Sequence, residues 1–251
     1  MRRKITAIIV LLLTSAILVG CASQQELAFK SVEGKNHSAV KPVNRADQWW
    51  GLRHDAVNER LKHGNVDLLF IGDSITQGWE NAGKEIWNTY YAPRNAVNMG
   101  FSGDRTQHVL WRLDNSNIEG LSPKLAIIMI GTNNSNKNDN TAEEIAEGII
   151  TICKRLRTRL PKTRILLLAI FPRNAGPSAQ RQKNAQASQL ASKVADGKMI
   201  HYLDINSRFL TEDGLLPKDI MPDYLHPNKA GYKIWAEDIE LKVAELMGKR
   251  K

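Results

Sequence analysis

Five short runs of apolar residues recur along the chain, at 66–71, 96–99, 125–130, 164–171 and 199–203. They are short for buried helices, and most end at a glycine or proline (Gly72, Gly100, Gly131, Pro172), which suits strands that stop at a turn. Their apolar character is nearly continuous rather than alternating, so both faces are covered, as in a parallel sheet. Between the runs the pattern shifts to helical spacing. Residues 46–63 bring round Trp49, Trp50, Ala56, Val57 and Leu61 before Gly64 supplies a C-cap. Residues 106–113 turn Val109, Leu110 and Leu113 inward. A capping box, Thr141-Ala142-Glu143-Glu144, opens a helix with Ile145, Ile149, Ile152, Cys153, Leu156 and Leu160 on one face. Further helices are predicted over 179–195 and 229–247, the last facing inward through Tyr232, Trp235, Ile239 and Val243. Strands alternating with helices predict an α/β domain over 46–251: a three-layer αβα sandwich on a five-stranded parallel sheet.

The first 45 residues lie outside this pattern. Arg2-Arg3-Lys4, an apolar stretch from Ile5 to Val19 and small residues before Cys21 mark a secretory signal, too short for a membrane-spanning helix. Leu18-Val19-Gly20-Cys21 resembles the bacterial lipobox, which implies cleavage before Cys21 and lipidation of its thiol. The alternative is an ordinary secretory signal in which Cys21 is incidental. With Ala22-Ser23 following, and no aspartate, the resemblance implies an exported protein anchored by lipid to the cell envelope, at the outer membrane. Residues 22–45 are polar and without hydrophobic period, as expected of a tether. Once Cys21 is lipidated, Cys153 has no partner for a disulfide, and the core must supply stability. The net charge of +9 falls to +6 without Arg2, Arg3 and Lys4. Its basic residues are scattered and no nucleic-acid motif accompanies them, so a solvated surface is expected rather than a nucleic-acid partner.

The chemistry is expected where strands end. Phe70-Ile71-Gly72-Asp73-Ser74 places a serine just past the first strand, and open α/β sheets bind ligands outside the carboxyl ends of their strands. The same residues also suit a simple turn capped by Asp73 or Ser74. A serine nucleophile needs a base, usually a histidine held by a carboxylate. Of six histidines, His226 stands out: Asp223-Tyr224-Leu225-His226-Pro227-Asn228 is a loop between the last strand and the last helix. Gly103 and Asn133, after the second and third strands, are candidate donors to an oxyanion, although both residue types are ordinary in βα loops. Ser102 lies between glycines without forming the Gly-x-Ser-x-Gly elbow, and neither a phosphate-binding glycine loop nor zinc-ligand spacing is present.

Taken in order, Gly72-Asp73-Ser74, Gly103, Gly131-Thr132-Asn133 and Asp223-x-x-His226 resemble the SGNH hydrolases, also called GDSL esterases. The stretch from Asn98 to Leu113, with Asn134, Thr141 to Glu144 and Arg181-Gln182-Lys183-Asn184-Ala185, is similar to the platelet-activating-factor acetylhydrolase branch of that superfamily. The resemblance covers about residues 47 to 247 and implies a flavodoxin-like fold. It implies Ser74 as nucleophile, His226 as base and then acid, and Asp223 as the residue orienting His226. The N–H groups of Ser74 and Gly103, with the Asn133 side chain, form the implied oxyanion hole. Ile75, Thr132 and Leu225 match positions that restrict the acyl pocket, with Ile75 replacing the more common leucine or methionine. The reaction so implied is acyl transfer through an acyl-enzyme, without metal or cofactor. The expected substrate is a small acyl ester, most simply acetyl, on an envelope or extracellular compound such as an acetylated glycan. A lysophospholipase or thioesterase is the alternative within enzymes, and a glycan- or protein-binding lipoprotein without turnover the alternative outside them.

Overall fold

The computed structural model describes residues 22–137 and 139–248, so the signal segment and Cys21 lie outside the described residues. Its sheet consists of β1 (Leu68–Gly72), β2 (Ala96–Gly100), β3 (Leu125–Met129), β4 (Arg164–Leu168) and β5 (Ile200–Leu203). All pairs are parallel, in the order β2-β1-β3-β4-β5, with Gly72 beside both Gly100 and Met129. This is the flavodoxin-like order, and its topological switch falls at β1 and β3, where an open sheet leaves a crevice for ligand. Helices α1 (Gln24–Ser31), α2 (Gln48–Lys62), α3 (Ser74–Gln77), α4 (Lys84–Tyr90), α5 (Thr106–Asp114), α6 (Ala142–Arg159), α7 (Ala179–Ala191) and α8 (Lys229–Met247) complete the domain.

Alternate residues of each strand face opposite cores. Leu69, Ile71, Val97, Ala126, Ile128 and Leu167 pack with α2, α5, α6 and α7. Leu68, Phe70, Leu125, Ile127 and Leu166 face the other way, towards α8 and an aromatic cluster. In that cluster Phe70 lies 4.6 Å from Tyr91 and Trp79 lies 4.9 Å from Trp235, ring centre to ring centre. Burying each such side chain contributes about 1.5–3 kcal/mol, which ties the segment after β1 and the last helix to the sheet. Cys153 is buried in the first core, where desolvation pushes its thiol up to about 12; it is a packing residue and not a nucleophile. Among the described residues no helix is long and apolar enough to cross a membrane.

Residues 22–45 depart from the expected tether. They carry α1, opened by a capping box between Ser23 and Glu26, and run as a strap along α6 towards the carboxyl ends of the strands. Polar groups fasten it: Lys154 to Glu33 at 2.7 Å, His37 to Glu147 at 2.6 Å, and the Thr106 hydroxyl to the Ala39 carbonyl at 2.7 Å. Only isolated apolar side chains, such as Ala28 and Phe29, join the core. A segment held by polar side chains to a distant helix has no hydrophobic period, which is why its sequence reads as unstructured. The short α3 and α4 are likewise invisible to periodicity, being one and two turns long.

Candidate active site

Ser74 opens α3 immediately after β1, and the turn that carries it depends on two glycines. A Cβ on Gly72 would lie 2.4 Å from the Met129 carbonyl oxygen, and one on Gly100 would lie 2.2 Å from the Gln77 nitrogen. Only glycine at both places lets α3 sit against the strand ends. Asp73 caps α3, its Oδ1 accepting from the Ile75 N–H at 3.0 Å. Its other oxygen is buried with no hydrogen-bond partner, and complete desolvation, reinforced by the charge of Asp104, pushes the carboxyl up to about 7.

Three of the expected residues meet. Ser74 Oγ lies 2.9 Å from His226 Nε2, and His226 Nδ1 lies 2.6 Å from Asp223 Oδ2. Asp223 Oδ1 accepts from the N–H groups of His226 at 2.8 Å and Leu225 at 3.1 Å, so the carboxylate holds both the ring and its own loop. Burial works against the ionised carboxylate, but these hydrogen bonds outweigh it and hold Asp223 below the usual range. The loop is pinned at both ends: Asn174 N–H donates to the Tyr224 carbonyl at 2.8 Å, and Asn228 caps α8 by accepting from Gly231 N–H at 3.2 Å. With Nδ1–H donated to the carboxylate, Nε2 presents a lone pair to the serine hydroxyl. That is the arrangement by which an alcohol is deprotonated as it attacks.

Gly103 and Asn133 are also brought to this edge. Gly103 has φ +75, a left-handed conformation in the turn closed by the Asp104 N–H to Phe101 carbonyl bond of 3.1 Å. The Asn133 amide donates one hydrogen to the Asp104 carbonyl at 2.9 Å. A side-chain amide carries two such hydrogens, so one remains. Among the described residues the N–H groups of Ser74 and Gly103 have no acceptor. Of the three positions expected around an acyl group, Ile75 and Thr132 are buried and Leu225 is partly exposed. Thr132 is gripped by Arg173, whose Nη1 donates to its carbonyl at 3.0 Å and its hydroxyl at 3.2 Å.

Several residues of this region carry roles that the sequence analysis did not assign. Asp104 is fully buried and accepts from Arg112 Nε and Trp50 Nε1, both at 2.8 Å; Arg112 also donates to the Met99 carbonyl at 3.1 Å. This buried pair joins α2, α5 and the end of β2 beneath Gly103. Asn134, also fully buried, accepts from Thr106 N–H at 3.0 Å and donates to Asn140 at 3.0 Å, which locks the loop carrying Asn133. Beside Ser74 lies an open cavity of about 350 Å³, lined by Gln77, Gly78, Asn81, Ser102, Pro227 and Tyr232 together with Ser74 and His226. The polar residues Gln77 and Asn81 follow the serine by three and seven positions, a cue that only the position of α3 makes legible. Among the described residues no cluster of three histidine, cysteine or acidic side chains could hold a metal ion.

Comparison with known proteins gives the chain its relatives. The profile of the GDSL-like lipase/acylhydrolase family matches residues 70–234. The chain is similar to platelet-activating factor acetylhydrolase IB subunit alpha2 of Rattus norvegicus, 39% identical over 205 residues, covering 81% of this chain and 87% of that protein. It is also similar to the alpha1 subunit of Homo sapiens, 35% identical over 207 residues, covering 80% and 87%. Its fold resembles a GDSL-like lipase from Bacteroides thetaiotaomicron, with TM-score 0.58 and 20% identity over 79% of this chain and 97% of the other. A catalytic mutant of an acetylxylan esterase from Geobacillus stearothermophilus gives TM-score 0.57 and 21% identity, over 74% and 95%. Sequence likeness on this scale, joined to the same fold, makes the chain a member of the GDSL-like lipase/acylhydrolase family and an ester hydrolase.

Proposed function

We propose that this hydrolase removes small acyl groups, acetyl foremost, from polyhydroxylated alcohols such as glycans, and that it does so through Ser74. The Ser74 oxygen attacks the ester carbonyl while His226 Nε2 takes its proton; collapse of the tetrahedral intermediate breaks the bond to the alcohol, which leaves with that proton. Water, deprotonated by His226, then attacks the acyl-serine and restores Ser74 and the carboxylic acid. Asp223 keeps the ring in the working tautomer and balances the imidazolium formed in each half-reaction. The N–H groups of Ser74 and Gly103 and the free amide hydrogen of Asn133 receive the oxyanion.

The observation that carries the substrate reading is the chemistry of the cavity beside Ser74. Apart from His226, its lining holds no charged side chain, while Gln77, Asn81 and Ser102 supply neutral polar groups and the Tyr232 hydroxyl is spent on the Ile75 carbonyl at 2.6 Å. Such a lining suits hydroxyl groups and offers nothing to neutralise a phosphate. At about 350 Å³ it stands at the small end of the roughly 300–1,000 Å³ typical of ligand pockets. An apolar groove suited to a long chain is lined instead by Leu27, Ala28, Ala146, Ile150 and Leu190, on α1, α6 and α7. That counts against the lysophospholipase or thioesterase alternative. The names of the relatives support the same choice, since the similar subunits are acetylhydrolases and the similar structure is an acetylxylan esterase. The N-terminal segment supports action in the cell envelope, with Cys21 carrying the lipid. The test compares 4-nitrophenyl acetate with octanoate, and acetylated xylo-oligosaccharide with lysophosphatidylcholine, for the wild type and Ser74→Ala. Acetate and the acetylated sugar are expected to be preferred and the variant to be inactive; faster turnover of octanoate and lysophospholipid would overturn the substrate assignment.

A further inference from the structure

The strap of residues 22–45 ends at the oxyanion loop. Just before Ala39 it is tied by the Asn140 side-chain amide donating to the Ser38 hydroxyl at 3.0 Å, and beyond it Val43 N–H donates to the Gln107 carbonyl at 3.2 Å. It then delivers Arg45, whose Nη1 donates to the Ser102 carbonyl at 2.6 Å and lies 3.6 Å from Asp104 Oδ1. Asp47 orients the guanidinium: its Oδ2 accepts from Nε at 3.0 Å and forms an ion pair with Nη2, also at 3.0 Å, and the Trp49 ring lies 5.2 Å below it. The guanidinium covers Gly103 so closely that a Cβ there would be 3.1 Å from Nη1. On the other side Gln77 Oε1 accepts from Ser102 N–H at 2.6 Å, so the residue before Gly103 is held at both ends.

Two of the three oxyanion donors depend on this short stretch. Gly103 belongs to it, and Asn133 is aimed by its bond to the carbonyl of Asp104. We propose that the N-terminal strap completes the hydrolytic site, with Arg45 as the positioning residue that fixes the Ser102–Gly103–Asp104 backbone and through it the N–H of Gly103 and the amide of Asn133. The proposal rests on the reading of Ser74, Gly103 and Asn133 as nucleophile and oxyanion donors. Arg45 touches no reacting atom in this arrangement. Its hydrogen bonds are spent on the Ser102 carbonyl and Asp47, and its side chain is only 20% exposed, so it acts on the loop and not on substrate. A strap that was a mere tether would leave that edge of the site to water, whose hydrogen bonds to a carbonyl fix no geometry.

The test uses the chain with its strap intact and compares Arg45→Ala and Arg45→Lys on 4-nitrophenyl acetate, each with and without Asn133→Ala. A shift of the donors by a fraction of an ångström predicts a fall in kcat of about 10- to 100-fold for Arg45→Ala, with KM changed by less than about threefold. Arg45→Lys, which can still donate to the Ser102 carbonyl, should recover part of that loss. In the Asn133→Ala background the cost of Arg45→Ala should shrink, because one of the donors it positions is already gone. Unchanged kcat, or the same cost in both backgrounds, would refute the positioning role. If Arg45→Ala does not fold, Arg45→Gln keeps the stem and a donor and is read against the same outcomes. Equal activity of the wild type and Ser74→Ala would instead sink the serine-esterase assignment, and the strap proposal with it.

Discussion

Replacing Asp223 by asparagine tests the catalytic assignment more sharply than removing the side chain, because the structure dictates which way the amide turns. Asp223 Oδ1 accepts from two backbone N–H groups, those of Leu225 and His226, while Oδ2 faces His226 Nδ1. In Asp223→Asn the amide oxygen keeps the backbone donors, and the amide nitrogen is left facing the imidazole. The opposite orientation would forfeit two hydrogen bonds of about 1 kcal/mol each and press an NH2 group against two donors, a difference of roughly 2–3 kcal/mol. Facing a donor, Nδ1 must accept, so the proton moves to Nε2 and the base has no lone pair for Ser74. That tautomer bias alone reduces the competent form to a few per cent or less, and loss of the negative charge beside the imidazolium adds to it. The side chains of His226 and Asp223 are 43% and 55% exposed, so water screens the charge and the total should fall near 10³-fold, towards the lower end of what a buried triad loses. The assay is turnover of 4-nitrophenyl acetate at neutral pH, with circular dichroism to establish that the variant is folded. A loss of less than tenfold would refute the claim that this carboxylate sets the tautomer.

The buried carboxyl of Asp73 gives a pH-dependent expectation of definite sign. Its value of about 7 in the folded protein stands above its ordinary 3.8, so between these limits the native state holds a proton that the unfolded chain has lost, and stability falls as pH rises. The full window is worth roughly 4 kcal/mol, so Asp73→Asn should gain on the wild type from about pH 4 to about pH 7 and level off above that. Urea unfolding at pH 5 and pH 8 reads this, and equal pH dependence in the two proteins would count against it. The proposed lipidation of Cys21 has a cellular readout: Cys21→Ala should move active protein from the membrane fraction to the soluble one, and unchanged fractionation after signal cleavage would dismiss the anchor.

The sheet was legible because parallel strands covered on both faces must be apolar throughout: β1 and β3 are wholly so, β4 is so after Arg164, and polar residues within the runs, Asn98 and His201, fall on the edge strands β2 and β5. Ser74, Gly103, Asn133 and His226 were legible for a different reason: they stand at strand ends or in the loop before the last helix, where residue type is chosen for chemistry and not for packing. What escaped notice is everything held by polar contacts over long sequence separations. The Asp104–Arg112 pair is eight residues apart and reads as a charged helix start, although both partners are fully buried. Arg45 is 57 residues from the carbonyl it binds, and no spacing rule reaches that far.

These omissions share a location. Asp104 with Arg112 and Trp50, Asn134 with Thr106 and Asn140, and Arg45 with Ser102 all surround the two loops that carry Gly103 and Asn133. The opposite half of the site needs fewer such devices, since Ser74 is fixed by a helix start between two glycines and His226 by a local Asp-x-x-His turn. An oxyanion hole is built from backbone and amide hydrogens that have no side-chain bulk with which to anchor themselves, so their precision must be imported from neighbouring charged and amide groups. A nucleophile and its base can be specified by a few consecutive residues, whereas the electrostatic half of the reaction is specified by the whole fold. The requirement falls on the elements nearest the loops, and in this chain one of those is the strap that begins at Ala22.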